Sequence, residues 1–154
     1  MDSASGNGFV RAICLSSTLT YTGLVVWATH APPSALPQSL GSASVSDKLL
    51  HFMCYAGLAV LATSTAIAWH RATAKNLVFL FVAIGVATAI SETVQPLTQR
   101  VSDFFDWLAD VIGAGAGMVF VACVWQAYAV MAKTNRGSTH PRSRPGQCQD
   151  DNGR

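Results

Sequence analysis

Charged residues are scarce in this sequence: Asp, Glu, Lys and Arg make up 12% of its 154 residues. A soluble domain of average composition carries about 25%. Hydrophobic residues instead reach 51%. Because so few charges cannot cover the surface of a water-soluble domain, lipid is expected to surround much of the chain. The length suits one domain.

Motifs that would name a reaction or a nucleic-acid partner are missing. The sequence has no Gly-x-Ser-x-Gly, His-Glu-x-x-His or phosphate-loop motif. Its formal net charge is only +2, and no basic, aromatic-rich surface pattern is present. Nucleic acid is therefore excluded as a partner, and any cofactor or reaction has to be inferred from another feature.

Cysteine occurs four times, but not in a disulfide or metal-binding pattern. Cys14, Cys54 and Cys123 lie in apolar runs, and Cys148 lies in the polar tail. Framework disulfides are typical of small secreted domains. Zinc sites need Cys-x-x-Cys or Cys/His spacings that the sequence lacks. The cysteines are expected to be free thiols packed as small apolar side chains.

Four long apolar runs predict four transmembrane helices. A helix needs roughly 20 apolar residues to cross a bilayer core of about 30 Å, and its backbone is hydrogen-bonded internally as that medium requires. The sequence therefore predicts an all-α integral membrane bundle over residues 10–132, with a disordered N-terminus over 1–9 and a disordered cytoplasmic tail over 133–154. The runs cover residues 10–28, 49–69, 77–95 and 106–132.

Lysine and arginine predict the orientation of the bundle. All ten except Lys48 and Arg100 fall in the N-terminus, the second loop or the tail, which share one side of the membrane. The positive-inside rule places that side, with both termini, in the cytoplasm. As an alternative, the first run could be a cleaved signal peptide, since Arg11 stands before an apolar stretch that small residues follow. The length of the run favours a retained span.

The acidic residues outside the termini gather at one end of the predicted bundle. Polar and basic residues accompany them at the predicted outer helix ends. The acidic residues are Asp47, Glu92, Asp103, Asp106 and Asp110, and their companions are Lys48, His51, Gln95 and Arg100. An ionised carboxylate at membrane depth is costly unless it is paired or solvated. These side chains are therefore expected to turn toward one another rather than toward lipid.

Helical spacing supports this convergence. Asp47 and His51 are four residues apart and Glu92 and Gln95 three apart, so each pair shares a helix face. The fourth helix carries one stripe whose glycines let a neighbouring backbone approach closely. The stripe consists of Asp103, Asp106 and Asp110 if the helix begins near Ser102, and it continues through Gly113 and Gly117. Alternatively, the charges form only a solvated rim in which Asp47 and Asp103 are N-caps.

These residues resemble the VanZ-like family of membrane proteins over residues 10–132. The matching positions are Ser46-Asp47-Lys48-Leu49-Leu50-His51-Phe52, Tyr55, Gly57, Leu58, Glu92-x-x-Gln95, Arg100, Asp106, Gly113 and Gly117. The sequence departs from the family pattern at Asp110, where asparagine is usual, and at Thr98-Gln99-Arg100, where Pro-Gly-Arg is common. The resemblance implies a multi-pass protein of the bacterial inner membrane. The family takes its name from a member linked to teicoplanin resistance, but its biochemical activity is not established. The resemblance therefore implies a fold and a site rather than a reaction.

The polar cluster is predicted to bind or act on a cell-envelope lipid or a lipid-linked precursor. The predicted binding residues are Asp47, Lys48, His51, Glu92, Gln95, Arg100, Asp106 and Asp110. Lys48 and Arg100 would hold a phosphate or carboxylate. A divalent cation would neutralise the carboxylates and bridge to the ligand. Oxygen ligands suit magnesium, calcium or manganese, whereas His51 favours a transition metal.

Two alternatives use the same residues. Clustered carboxylates raise one pKa and supply a general acid beside a base, so a membrane-embedded hydrolase or transferase is possible. His51 would move the proton near neutral pH. In a purely structural reading, Lys48 and Arg100 pair with Glu92 and Asp106 and clamp the helix ends together.

Overall fold

The computed structural model describes residues 3–30, 47–94 and 103–137, and these residues form four helices. The helices are α1 (Ser3–His30), α2 (Asp47–Ala68), α3 (Ala74–Val94) and α4 (Phe104–Gly137). All four are long and apolar enough to cross a membrane. No strand occurs in the described residues. The predicted bundle of four transmembrane helices is confirmed.

Two helices extend beyond the predicted spans. Helix α1 begins at Ser3 and α4 continues to Gly137, so helix reaches into both segments predicted to be disordered. The physical reason is that no proline interrupts either extension. Near the end of α4 the Thr134 hydroxyl also donates a hydrogen bond to the backbone carbonyl of Val130 at 3.1 Å. Residues 138–154 of the predicted tail lie outside the described part of the chain.

A tight turn joins α2 to α3 and makes them antiparallel. The backbone amide of Arg71 donates to the carbonyl of Ala66 at 2.7 Å, which closes the end of α2. Thr73 then caps α3, since its hydroxyl accepts a hydrogen bond from the amide of Asn76 at 3.3 Å. This turn forms the second loop of the predicted bundle. It brings the end of α3 back to the level at which α2 begins.

Helix α1 runs antiparallel to α2 along most of its length. Arg11 donates from Nε to the carbonyl of Ala68 at 3.0 Å, close to the end of α2. Further along, the hydroxyl oxygens of Thr18 and Thr65 lie 2.9 Å apart. These contacts place Arg11 at the end of the bundle opposite to the start of α2.

Two glycines let α4 approach the backbone of α2. A Cβ atom at Gly113 would overlap the carbonyl oxygen of Phe52, and one at Gly117 would overlap that of Ala56. Both glycines are buried. The prediction that this stripe of α4 faces another helix is confirmed.

Buried residues are few, as expected for a bundle in lipid. The core cluster takes residues from all four helices: Val25, Tyr55, Ala59, Ile84 and Ala114. Large apolar side chains point outward instead, and the exposed fraction of Phe79 reaches 74%. In water such a surface would aggregate, whereas hydrocarbon solvates it.

Packing divides the chain within α4, after Ala122. The core and the site belong to the first unit, Met1–Ala122. In the second unit α4 carries exposed aromatic side chains, and the rings of Trp125 and Tyr128 lie 6.2 Å apart.

Cys14, Cys54 and Cys123 are free thiols.

Candidate functional site

The structure divides the predicted polar site into two groups. Both lie at the end of the bundle where α2 and α4 begin and α3 ends, which is called the polar end below. The Lys48 group consists of Lys48, Asp103 and Asp106. The His51 group consists of His51, Glu92 and Asp110.

The Lys48 group links the start of α2 to the start of α4. Lys48 Nζ lies 2.6 Å from Asp103 Oδ2 and 3.0 Å from Asp106 Oδ1. Asp103 is also the N-cap of α4, because its Oδ1 accepts a hydrogen bond from the amide of Phe105 at 2.9 Å. The Lys48 ammonium, and after it the Phe105 amide, hold the pKa of Asp103 below its usual value. This group therefore acts as a clamp between helix ends.

We expect Lys48→Met to lower the melting temperature slightly at neutral pH, since partly exposed ion pairs contribute little. The folded state lowers the pKa of Asp103. The pair therefore stabilises above the unfolded pKa of about 3.9 and loses this effect as the pH falls through the folded pKa. The difference between wild type and variant should shrink in acid. Thermal unfolding in detergent across pH measures it, with Lys75→Met at the opposite end as the control.

A difference between wild type and Lys48→Met that stays constant from neutral pH into acid would show that charge pairing is not what Lys48 contributes.

The His51 group lies deeper, and all three of its side chains are buried. The exposed fractions of the residues are 7% for His51, 6% for Glu92 and 1% for Asp110. His51 Nδ1 and Asp110 Oδ1 lie 3.0 Å apart, a hydrogen-bond distance that links α2 to α4. The prediction that these residues turn into the bundle is confirmed.

Glu92 completes this group from the end of α3. Its carboxylate accepts a hydrogen bond from the backbone amide of Asp103, just before α4. One potential metal-ligand atom from each of His51, Glu92 and Asp110 lies within 4.8 Å of the others. Three helices thus deliver one imidazole nitrogen and two carboxylate oxygens to a single buried point.

Helical periodicity explains why these residues meet. In α3 the buried positions are Ile84, Thr88 and Glu92, which repeat every four residues. In α2 the buried residues His51, Tyr55 and Ala59 do the same. The face that packs the core therefore carries a titratable residue where it reaches the polar end.

The polar end carries excess negative charge among the described side chains. Glu92, Asp103, Asp106 and Asp110 contribute four negative charges when ionised, and Lys48 contributes one positive charge. Even a protonated His51 leaves four negative against two positive charges, a net charge of −2. This balance favours a cation as ligand, or an anion that arrives together with a cation.

Three of the predicted site residues are not placed by the structure. Gln95 and Arg100 lie outside the described residues. Asp47 begins α2, but its side chain is also outside the described part. Their roles stay predictions.

Two contributors were not among the predicted site residues. Asp103 pairs with Lys48 and donates its amide to Glu92. Tyr55 is buried and lies near both Asp110 and Glu92. Its position four residues after His51, on the same helix face, is the signal that could have indicated it.

Comparison of the chain with protein-family models, with curated proteins and with solved structures gives no match. The VanZ-like resemblance therefore stays a prediction from the motif residues.

Proposed function

We propose that this chain is a VanZ-like protein of the bacterial inner membrane that binds the head group of a cell-envelope lipid or lipid-linked precursor. In this proposal a divalent cation, held by His51, Glu92 and Asp110, bridges the protein to the head group. The observation that carries the proposal is the convergence of three buried ligand atoms from three helices within 4.8 Å.

The ligand set suits a first-row transition metal. One imidazole nitrogen with two carboxylate oxygens is a donor combination that binds manganese, iron or zinc. Ligands at about 2.0–2.2 Å from one ion lie at most about 4.4 Å apart. Because these ligand atoms lie within 4.8 Å of one another, small side-chain rotations are enough to bring them all to coordination distance of one ion. Asp106, predicted as a further oxygen ligand, pairs with Lys48 instead.

Three protein ligands leave a coordination position for a ligand oxygen. A phosphate oxygen of a head group fits that position, and Lys48 supplies a second positive charge close by. Asp110 lies six residues into α4, about 9 Å from its start, so the site is close to the level of lipid head groups. Arg100 is proposed to join the site.

The distribution of basic residues supports an extracytoplasmic site. Arg11 bonds to the end of α2 opposite the polar end, and Arg71 and Lys75 lie at the turn that follows α2. By the positive-inside rule we place that end, with both termini, in the cytoplasm. The polar end then faces the outer leaflet, where envelope lipids are accessible.

An enzymatic role is the second candidate, and the bond between His51 and Asp110 favours it. A carboxylate that holds one imidazole nitrogen orients the ring as a general base. A metal at the same point would lower the pKa of a bound water, as hydrolases and transferases require. The Lys48 group fits the structural-clamp alternative, which does not account for the buried His51 group.

The test compares metal-dependent stabilisation of Glu92→Gln with that of the wild type. We expect Mn²⁺ or Zn²⁺ to raise the melting temperature of the detergent-solubilised wild type. At 100 times Kd a ligand stabilises by about 2.7 kcal/mol. Glu92→Gln should fold but lose this effect, because an amide is a poor metal ligand. Thermal unfolding and isothermal titration with each ion make the measurement.

Asp103→Asn is the matched control, since Asp103 belongs to the clamp, and it should retain the metal effect. Two outcomes contradict the metal site: no divalent ion stabilises the wild type, or Asp103→Asn loses as much as Glu92→Gln. If Glu92→Gln melts lower without metal and no ion acts on the wild type, the structural clamp is favoured.

A further inference from the structure

An apolar cleft lies between α1 and α3, with α2 as its floor. Its volume is about 270 Å³. Small side chains make room for it, and Ala83 and Ala87 are exposed at its edge, so it opens sideways. The residues that line it are Thr18, Thr22, Tyr55, Leu58, Ala62, Leu80, Ala83, Ile84 and Ala87.

The cleft presents almost no polar surface, although two threonines line it. The hydroxyl of Thr18 donates to the carbonyl of Cys14 at 2.8 Å, and that of Thr22 to the carbonyl of Thr18 at 2.7 Å. Both hydroxyls are thus satisfied within α1, as is usual for threonine in membrane helices. An occupant has no hydrogen bond to gain there, so the cleft suits a hydrocarbon.

The cleft begins just below the His51 group. Tyr55, at its upper end, follows His51 by four residues, about 6 Å along α2. Ala62, at its lower end, lies eleven residues after His51, about 16 Å along the helix. One leaflet of a bilayer core is about 15 Å deep. The cleft therefore runs through one leaflet, directly beneath the proposed head-group site.

We infer that the cleft holds one fatty acyl chain of a phospholipid whose head group sits at the polar end. All three helices around the cleft are candidate membrane spans, so its mouth opens onto hydrocarbon. A void there would forfeit dispersion contacts that an acyl chain restores. The position of the head group rests on the proposed function, whereas the occupancy of the cleft does not.

Native mass spectrometry tests this on the full chain released from bilayer discs of phosphatidylglycerol and phosphatidylethanolamine. We expect the wild type to retain one phospholipid at collision energies that remove loosely bound lipid. Ala83→Phe fills the cleft and should reduce the retained fraction at least tenfold. Val86→Phe is the matched control, because Val86 is exposed on α3 but does not line the cleft.

Helical circular dichroism and melting temperature establish that Ala83→Phe is folded, and Ala62→Leu provides a milder filling variant from α2. The inference is overturned if the wild type retains no phospholipid, if both filling variants retain as much as Val86→Phe, or if a polyprenyl phosphate added to the discs displaces the phospholipid. Metal titration of the same samples separates the two proposals. If the filling variants lose the lipid but bind metal as the wild type does, both proposals are supported. If the wild type retains the lipid but no metal ion stabilises it, only the proposed occupancy of the cleft is supported.

Discussion

Gly113→Ala is expected to destabilise the folded bundle. Overpacking a core usually costs about 1–3 kcal/mol, and the loss should lie near the upper end of that range. The added Cβ would overlap the carbonyl oxygen of Phe52. That oxygen belongs to the backbone of α2, so relief requires two helices to separate rather than one side chain to rotate. Separation would also disturb the bond between His51 and Asp110 on the same two helices. Unfolding of the detergent-solubilised protein by SDS titration measures the loss.

Two other glycines are matched controls with the opposite expected sign. A Cβ at Gly115 would lie 3.6 Å from the ring of Phe81, an ordinary contact, and one at Gly23 would meet nothing within 4 Å. Alanine forms helix better than glycine by about 1 kcal/mol. Gly115→Ala and Gly23→Ala should therefore be neutral or stabilising. If Gly113→Ala is equally well tolerated, α4 does not approach α2 as closely as the structure indicates.

These glycines also show which structural features are predictable from sequence. Gly113 and Gly117 follow Asp106 and Asp110 at helical spacing, and periodicity alone assigns them to one face. The cost of an unpaired charge in lipid then turns that face inward. The same two arguments predict that His51 and Glu92 are buried, as the structure shows.

Spacing could not decide between the partners predicted for each charge. Asp106 was assigned to a ligand site with Asp110 in the binding prediction and to a salt bridge in the structural alternative, and the structure pairs it with Lys48. Which side chains meet across helices depends on the rotation and axial offset of each helix. Spacing within one helix does not fix either quantity. For the same reason the sequence did not indicate that the Asp103 amide reaches Glu92.

The cleft was not predictable because it is defined by missing side-chain volume. Ala62, Ala83 and Ala87 are unremarkable in an apolar run, since alanine is common in membrane helices. They form a cleft only because residues of α1, α2 and α3 are brought together around the same space. That arrangement is a property of the assembled helices, and no local pattern encodes it.

Asp110→Ala is expected to cost about 1–3 kcal/mol or more, the usual effect of leaving a buried hydrogen-bonding group without its partner. The change takes the carboxylate away from His51 Nδ1 at a position where both side chains are buried. Asp103→Ala removes a carboxylate at the same end of the bundle, where the side chain is 38% exposed, and should cost much less. SDS titration of both variants measures the difference.

The double variant His51→Leu/Asp110→Leu separates stability from function in the same pair of residues. Replacement of both partners of a buried hydrogen bond by apolar side chains is often neutral or stabilising, so the double variant should regain most of the stability that Asp110→Ala loses. It should nevertheless show no stabilisation by Mn²⁺ or Zn²⁺, because two of the three proposed ligands are gone. A double variant as unstable as Asp110→Ala would make the pair a structural requirement of the fold. A double variant that is still stabilised by metal would place the ion elsewhere.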